Sequence, residues 1–256
     1  MRNKVIHKWK PFLSIFLLLT IWIAVTEFEL IRAYVLPSPG KVLDSFFQMV
    51  ESGELFVDIG ISFGRVFKGF AIAFGLAFVL GMLRALAPGV ETYYEYMVQF
   101  FRNVPPLSLI PLLILWCGIG ETTKIVIIVL ASFFPMYLSI VKGFTSCDKQ
   151  LLEVGAVFGY SGFRTFIHIV LPQAVPDILV GMRIGMGYSW RAIIGAEMVA
   201  ASTGLGHLIL FAQQMSRTDK VIVGIFVIGL VGLVTDKLFG MLIKKVWKGS
   251  SEHGWD

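Results

Sequence analysis

The sequence predicts an all-α integral membrane protein with about six transmembrane helices and a cytoplasmic loop between the fourth and the fifth. The first observation is composition: 56% of the residues are apolar and 15% are charged, whereas soluble domains have about 25% charged residues. The second is length, because 256 residues accommodate six spans of roughly 20 residues with their connections. The third is the position of Lys and Arg, which stand beside the apolar runs and form no nucleic-acid-binding patch.

Sites for catalysis, metal ions and cofactors are not predicted. Cys117 lies in an apolar run and Cys147 in a polar turn, so neither a disulfide framework nor a metal site is indicated. The four histidines are not clustered at ligand spacing. Because no stretch matches G-x-x-x-x-G-K-[ST], the chain lacks a phosphate-binding loop of its own and is not predicted to hydrolyse ATP.

The N-terminal region, residues 1–34, is predicted to be the first span. Four basic residues precede the apolar run at residues 11–30, which favours a cytoplasmic N-terminus. A cleaved signal peptide would have a shorter apolar core and a small-x-small site, and no such site is present. Residues 35–59 are expected to form an extracytoplasmic connector, in which Pro37 and Pro39 make a turn before a short amphipathic helix.

Residues 60–245 are predicted to contain the other five spans. The second span covers about residues 60–83, where Gly69, Gly75 and Gly81 are suited to close helix packing. The third covers about residues 94–116 and contains three prolines, which a membrane helix tolerates only where protein or a cavity supplies hydrogen-bond partners. Three further spans follow: the segment "KIVIIVLASFFPMYLSIV", about residues 178–201 and about residues 221–243.

This arrangement predicts a multi-pass protein of the cell membrane with both termini in the cytoplasm. Six spans place residues 142–177 and the tail at residues 246–256 on the same side as the N-terminus. Lys142, Lys149 and Arg164 agree with the excess of basic residues expected on the cytoplasmic side. Four basic residues on the outer side depart from this rule: Arg32, Lys41, Arg65 and Lys68.

A half-polar stretch, "LLEVGAVFGYSGFRTFIHIVLPQAVP" at residues 151–176, interrupts the apolar spans. Polar and apolar residues alternate at helical spacing over about residues 150–158 and 162–169, with "GYSG" between them. Gly159 and Gly162 allow a sharp turn, and Pro172 and Pro176 are expected to define the return to the membrane. We expect two short helices in a compact cytoplasmic knob, suited to dock in a groove of a partner protein.

A sequence pattern in this stretch resembles that of a known family. Five residues follow the order E-x-x-x-x-x-G, nine residues, then I-x-L-P: Glu153, Gly159, Ile169, Leu171 and Pro172. The pattern resembles the cytoplasmic signature of ABC importer permeases of the binding-protein-dependent type I class. Family members usually have two alanines after the glutamate, where this chain has Val154 and Gly155. We call residues 151–176 the signature loop.

Other stretches extend the resemblance over about residues 35–245. They are similar to the sulfonate, nitrate and taurine branch of the class: "LPSPGKV", "RNVPPLSLIPLLILWCGIG", "SFFPMY" and "WRAIIGAEM…STGLGHLI". The resemblance implies a permease subunit that pairs with a second copy, a dimer of cytoplasmic ABC ATPase subunits and an extracytoplasmic solute-binding protein. ATP is then used by the partner subunits, and the solute is an organic sulfonate, nitrate, taurine or a similar anion.

The resemblance also implies a role for the signature loop. In the family this loop fits into a cleft of the ATPase, which assigns a coupling role to eight residues: Glu153, Gly155, Gly159, Phe163, Arg164, Ile169, Leu171 and Pro172. The alternative for Glu153 is a solvated loop carboxylate or a charge at a helix N-terminus. The intact spacing as far as Pro172 favours the coupling role.

Charged residues inside the spans are candidates for the solute pathway, because each costs at least about 2.5 kcal/mol at membrane depth. Arg102, beside Asn103, either extends to the cytoplasmic surface or lines the pathway. Arg191 lies deeper and either contacts a passing anion or forms an ion pair with Asp236 or with Glu197 of the partner subunit. Arg102, Asn103, Arg191 and Glu197 are therefore the candidate pathway residues.

Two alternatives belong to other function classes. Glu197 and Asp236 are carboxylates within spans, which supports a proton-coupled secondary transporter as an alternative. Such transporters usually have internal repeats with paired broken helices, whereas this chain shows one proline-broken span. A membrane-embedded enzyme is disfavoured because no cluster of catalytic side chains stands out. Arg183, near the cytoplasmic end of the fifth span, is expected to extend to the membrane surface.

Overall fold

A computed structural model describes residues 2–87 and 89–246, without the side chains of residues 2–12 and 246. Within these ranges the chain is helical and contains no strand. The predicted tail, residues 246–256, lies almost entirely outside the described residues. The described residues form eleven α-helices: α1 Arg2–Glu27, α2 Pro39–Glu51, α3 Glu54–Leu86, α4 Glu91–Arg102, α5 Ile110–Cys117, α6 Glu121–Thr145, α7 Lys149–Val157, α8 Gly162–Thr165, α9 Leu171–Ala200, α10 Leu205–Gln214 and α11 Thr218–Val246.

Several helices are long and apolar enough to cross a membrane, as the composition predicts. Among the described residues these are α3, α6, the continuous stretch Gly162–Ala200 and Thr218–Lys245 of α11. Helix α4 and the segment Pro106–Cys117 pass the same test only as a bent pair, which gives up to five spans. The apolar part of α1, Leu13–Glu27, is shorter than the roughly 20 residues of a full span. The number of six spans, the domain boundaries and the orientation therefore stay predictions.

The third predicted span is broken into two helices whose axes meet at 91°. Helix α4 ends at Arg102, a 3-10 turn covers Pro106–Leu109, and α5 is only eight residues long. Pro105 and Pro106 have no amide hydrogen for a helical hydrogen bond, and each disfavours helical backbone at the residue before it. The interruption that the prolines predict is therefore a sharp bend, and a cavity lies beside it.

The core is formed where α6 packs between α3 and α9. Gly69 and Gly81 of α3 leave space for two isoleucines of α6. A Cβ built on Gly69 would lie 2.6 Å from Ile128, and one built on Gly81 would lie 2.7 Å from Ile140. Small residues thus allow the two backbones to approach closely. Gly75 has no neighbour within 4 Å of such a Cβ, so two of the three predicted packing glycines lie at this interface.

The predicted amphipathic helix of the connector is α2, which packs against α11 and buries Val42, Ser45 and Met49. Helix α3 begins at Glu54 rather than near residue 60, so the predicted start of the second span is too late. The reason is Gly53, whose φ of +75° lets the chain leave α2 and enter α3 almost at once.

Candidate functional site

The first helix of the signature loop, α7, has a polar cap at its start and a left-handed glycine after its end. The Asp148 carboxylate accepts a hydrogen bond from Gln150 N at 2.9 Å. At the other end, Gly159 has a φ of +70°, and the Tyr160 amide donates to the Gly155 carbonyl at 3.0 Å. A residue with a Cβ is strained in that conformation, so glycine is favoured there. The chain turns at Gly159, as its sequence predicts.

Gly155 brings the two halves of the signature loop together. It is buried, and a Cβ built on it would lie 2.5 Å from Cδ1 of Ile169. Ile169 therefore packs directly on the backbone of α7. This contact accounts for one departure from the family pattern, because glycine in place of alanine leaves space for the Ile169 methyl group. Val154, the other departure, is half exposed.

The second short helix of the loop is predicted to be separate from the fifth span, but in the structure the two are continuous. Helix α8, a π-turn at Phe166–Val170 and α9 form one continuous helix of 39 residues. Leu171 N donates to the Phe166 carbonyl, which gives the wider turn. Pro172 follows, and its missing amide hydrogen interrupts regular α-helical bonding at this point. The predicted start of the fifth span near residue 178 is therefore wrong, and Pro176 lies inside α9.

Two contacts attach the signature loop to the end of α6 and to the residues that follow it. The rings of Phe144 and Phe166 meet edge to face, with 5.1 Å between their centroids. Oε1 of Gln173 accepts hydrogen bonds from Cys147 Sγ at 2.9 Å and from Asp148 N at 3.2 Å. Burial raises the pKa of the Cys147 thiol, and the Asp148 carboxylate adds to this effect. The thiol therefore stays protonated at neutral pH and remains a hydrogen-bond donor.

The exposed surface of the signature loop contains apolar side chains with charged side chains beside them. Val157 is 86% exposed, Phe158 74% and Phe163 60%. Glu153 and Arg164 are also exposed. The other residues with a predicted coupling role are partly or fully accessible, apart from the buried Gly155: Gly159, Ile169, Leu171 and Pro172. Exposed apolar groups of this size, rimmed by polar residues, are typical of a docking surface.

A cavity of about 450 Å³ lies between the end of α4, the 3-10 turn, α6 and α9. Three of the four predicted pathway residues, Arg102, Asn103 and Arg191, line it together. Among the residues that the structure describes, no carboxylate lines the cavity, and none lies within 4 Å of either guanidinium. The guanidinium carbon of Arg191 lies 5.1 Å from the centroid of the Tyr188 ring, a cation–π distance.

The other side of the cavity is apolar. Leu130, Phe134 and Leu138 of α6 line it, and their spacing of four residues places them on one face of the helix. Leu107 of the 3-10 turn lines it too and packs on Gly195 of α9, where a Cβ would lie 2.8 Å from Leu107 Cδ2. The cavity therefore combines two cationic groups with an apolar wall.

Glu197, the fourth predicted pathway residue, lies in a buried ion cluster outside this cavity. It is 0% exposed, and its carboxylate accepts hydrogen bonds from Arg65 Nη1 and from the Ser62 hydroxyl, both at 2.8 Å. Arg65 also donates to Glu121 at 2.6 and 2.8 Å. Lys124 Nζ donates to Glu121 at 2.6 Å. Arg65, Lys124 and Glu197 are buried and each is paired with an opposite charge, which is the condition for burying such groups, whereas the Glu121 side chain is 58% exposed.

Glu197 and Ser62 also take the place of a side-chain cap for α10. Gly204, at the N-cap position, has no side chain to do so and has a φ of +107°. The Leu205 amide donates to Ser62 Oγ, and the Gly206 amide donates to Glu197 Oε2, both at 3.0 Å. These bonds satisfy two of the amides that a helix start leaves unpaired. A carboxylate is favourable there because of the helix dipole.

Sequence reasoning missed the α3 side of this cluster. Asp58, Ser62 and Arg65 are separated by four and three residues, so they share one face of an otherwise apolar helix. Asp58 accepts a hydrogen bond from Gly204 N at 2.7 Å. Three polar side chains on one face of a span were the available signal. The distribution of basic residues marks Arg65 only as a departure from the rule for membrane orientation.

Asp236 is paired with Arg183, not with Arg191. Arg183 donates from Nε and Nη2 to the two oxygens of Asp236 at 2.8 and 2.7 Å. Arg183 is therefore held by a carboxylate rather than extended alone to the membrane surface. The secondary-transporter alternative depends on the carboxylates of Glu197 and Asp236, and both form ion pairs with arginines. In the part of the chain that the structure describes, no group of three or more His, Cys, Asp or Glu side chains is placed to hold a metal ion.

Comparison with known proteins identifies the family. Residues 73–248 match the family described as "Binding-protein-dependent transport system inner membrane component". The chain belongs to this family. SsuC of Bacillus subtilis (strain 168), named for aliphatic sulfonates transport, is 35% identical over 92% of this chain and 86% of its own length. The taurine transport system permease protein TauC of Escherichia coli (strain K12) is 33% identical over 86% of this chain and 82% of its own length.

Two further likenesses extend the comparison. The nitrate import permease protein NrtB of a Synechocystis species is 28% identical over 91% of this chain and 87% of its own length. Among solved structures, a chain of the MetNI methionine ABC transporter in an inward-facing conformation matches with a TM-score of 0.53. That match covers 73% of this chain and 94% of the other at 16% identity, so it shows the fold alone.

The chain is thus a multi-pass inner membrane permease of the ABC transporter family. The predicted class and its sulfonate, taurine and nitrate branch are confirmed. Family membership also decides against the secondary-transporter alternative.

Proposed function

We propose that this permease conducts a small organic anion. The observation that carries the proposal is the cavity that Arg102 and Arg191 line together without a carboxylate. A guanidinium with no acidic partner, beside an apolar wall, forms charge-assisted hydrogen bonds with a sulfonate or carboxylate that enters. Asn103 also lines the cavity; its amide group has two hydrogens, of which one donates to the Gln99 carbonyl at 2.7 Å. The relatives named for aliphatic sulfonates, taurine and nitrate support this class of solute.

The apolar wall indicates that the anion has a short hydrocarbon part. Leu130, Phe134 and Leu138 offer a surface on which each buried methylene contributes about 0.8 kcal/mol. Nitrate would leave that surface unused. A volume of about 450 Å³ is within the range of small-molecule sites. A short aliphatic sulfonate, delivered from outside by a solute-binding protein, therefore fits the cavity better than an inorganic ion.

The signature loop is the proposed contact with the ATPase. Val157, Phe158 and Phe163 form an exposed apolar surface, and Glu153 and Arg164 supply charges beside it. Such a surface suits a groove on a partner. Because the loop continues into the fifth span without a break, a displacement of the loop is transmitted to α9. ATP would be bound and hydrolysed by an ATPase dimer, and a second copy of this permease would complete the pathway, with both termini in the cytoplasm.

Uptake by vesicles that contain the assembled complex tests the solute. With taurine and ethanesulfonate as probes, Arg191→Met should reduce uptake about 10-fold to 100-fold, because a hydrogen bond to a charged group contributes about 1.5–3 kcal/mol. Assembly of the complex should not change. Arg32→Met is the matched control, since Arg32 is exposed and does not line the cavity. Unchanged uptake by Arg191→Met, or no uptake of either sulfonate by the original protein, would contradict the proposal.

A further inference from the structure

We infer that Glu197 is a positioning residue: by binding Arg65 and Ser62 it fixes the rotation of α9 and thereby the place of the Arg191 guanidinium in the cavity. The inference rests on the proposed function of Arg191 as a solute contact. Glu197 does not line the cavity. Any effect of Glu197 on the solute must therefore pass through the helix that it shares with Arg191.

The two residues lie on different faces of α9. They are six residues apart, which is about 9 Å along the helix axis and well over one turn. Glu197 is buried against α3 and the start of α10, whereas Arg191 is exposed to the cavity. Because a helix is rigid over this distance, anchoring one face sets the direction of the other.

A small rotation of α9 displaces the Arg191 guanidinium by a large distance. A side-chain tip about 6 Å from the helix axis moves about 2 Å when the helix turns by about 20°. A charge-assisted hydrogen bond is only about 2.7–2.9 Å long, so such a shift breaks it. Trp190 opposes rotation on the α11 side, where its indole N–H donates to the Ile228 carbonyl at 3.1 Å. Glu197 opposes it on the α3 side, near the end of α9.

Glu197→Gln weakens the hydrogen bonds by which Glu197 holds α9, and it hardly changes the volume of the side chain. The carboxylate accepts hydrogen bonds on both oxygens: Arg65 donates to Oε1, Gly206 N donates to Oε2, and the single hydrogen of the Ser62 hydroxyl lies within reach of both. Glutamine has only one acceptor oxygen, and its amide nitrogen is a donor. Wherever that nitrogen points, it faces another donor, so at least one contact that holds α9 is lost.

A double-mutant cycle on uptake separates positioning from general stability. We expect Glu197→Gln to reduce ethanesulfonate uptake about 10-fold per assembled complex. The Glu197→Gln/Arg191→Met variant should transport no less than Arg191→Met alone, because the position of a guanidinium that is absent no longer matters. Ser45→Ala is the control: it removes a buried side-chain hydrogen bond, to Asp219, that joins α2 to α11 and does not involve α9. Any reduction in uptake that it causes should multiply with the reduction caused by Arg191→Met.

Each result decides between the two proposals. If the uptake losses of Glu197→Gln and Arg191→Met multiply in the double variant, Glu197 does not act through Arg191, and the inference is wrong while the anion site stands. If Arg191→Met alone transports normally, the anion site itself is wrong. If Glu197→Gln does not reach the membrane, the same cycle is measured with Ser62→Ala, which removes one donor from the Glu197 carboxylate, and the same two outcomes apply.

Discussion

Arg65 and Arg191 are both arginines of apolar spans, yet their surroundings assign them different roles. Arg65 makes five hydrogen bonds, to Glu121, Glu197 and Thr203, so every donor of its guanidinium is used within the chain. Arg191 has an aromatic ring beside it and a cavity in front of it. A satisfied guanidinium holds helices together, and a guanidinium without a carboxylate is available to an anion.

The contact between Gly155 and Ile169 gives a residue-scale prediction. Gly155→Leu should separate α7 from the rest of the signature loop, because overpacking a buried site costs about 1–3 kcal/mol. Ala156→Leu, at the exposed neighbouring position, should leave the loop unchanged. ATP-driven uptake per membrane-inserted permease is the measurement, with the amount of co-purified ATPase as a second readout. Equal effects of the two substitutions would show that the Gly155 contact does not organise the loop.

Among the elements, the signature loop depends on one turn of unusual backbone geometry. Gly159 and Gly162 flank the turn, and a Cβ on either would meet nothing within 4 Å. They differ in backbone, because Gly159 has a φ of +70° and Gly162 begins the helix α8. Comparing substitutions at these two glycines therefore isolates the left-handed turn from any effect of added volume.

Gly159→Val should uncouple the transporter. A left-handed conformation costs an L-residue about 1–2 kcal/mol, so the angle between α7 and α8 should change and the loop should transmit motion poorly. We expect uptake to fall at least about 5-fold, the equivalent of 1 kcal/mol, while ATP hydrolysis by the complex continues. Gly162→Val should retain uptake. Simultaneous loss of hydrolysis and uptake, or normal uptake in Gly159→Val, would be inconsistent with a coupling role for the turn.

Elements that local sequence determines were predictable, and those that depend on distant contacts were not. The turn at Gly159 and the break at the prolines follow from backbone chemistry that a short stretch displays. The π-turn was missed because Pro172 can either start a helix or be absorbed by a wider turn inside one. The bond from Arg65 to Glu197 joins residues 132 positions apart. No periodicity within one helix specifies which distant carboxylate that arginine meets.

The whole molecule consists of a tightly packed group of spans and a more loosely attached broken one. Helices α3, α6 and α9 contribute most of the buried core, whereas α4 buries none of its residues. Tyr93 and Tyr96 of α4 are 86% and 83% exposed. The cavity, the ion cluster and the signature loop all include residues of the helix Gly162–Ala200, so one element connects the proposed solute site with the proposed contact for the ATPase.

Purification of the tagged chain from its native membranes in mild detergent, with co-eluting proteins identified by mass spectrometry, tests the central claim most directly. The claim is that this chain works as the permease of an ATP-driven importer through its signature loop. An ABC ATPase and a solute-binding protein should co-elute. The ATPase should be lost from the Phe158→Ser/Phe163→Ser variant, which removes two exposed rings, but retained by Phe67→Ser, an exposed ring on α3 outside the loop. A chain that elutes only with itself, or an ATPase that stays bound to the loop variant, would contradict the account.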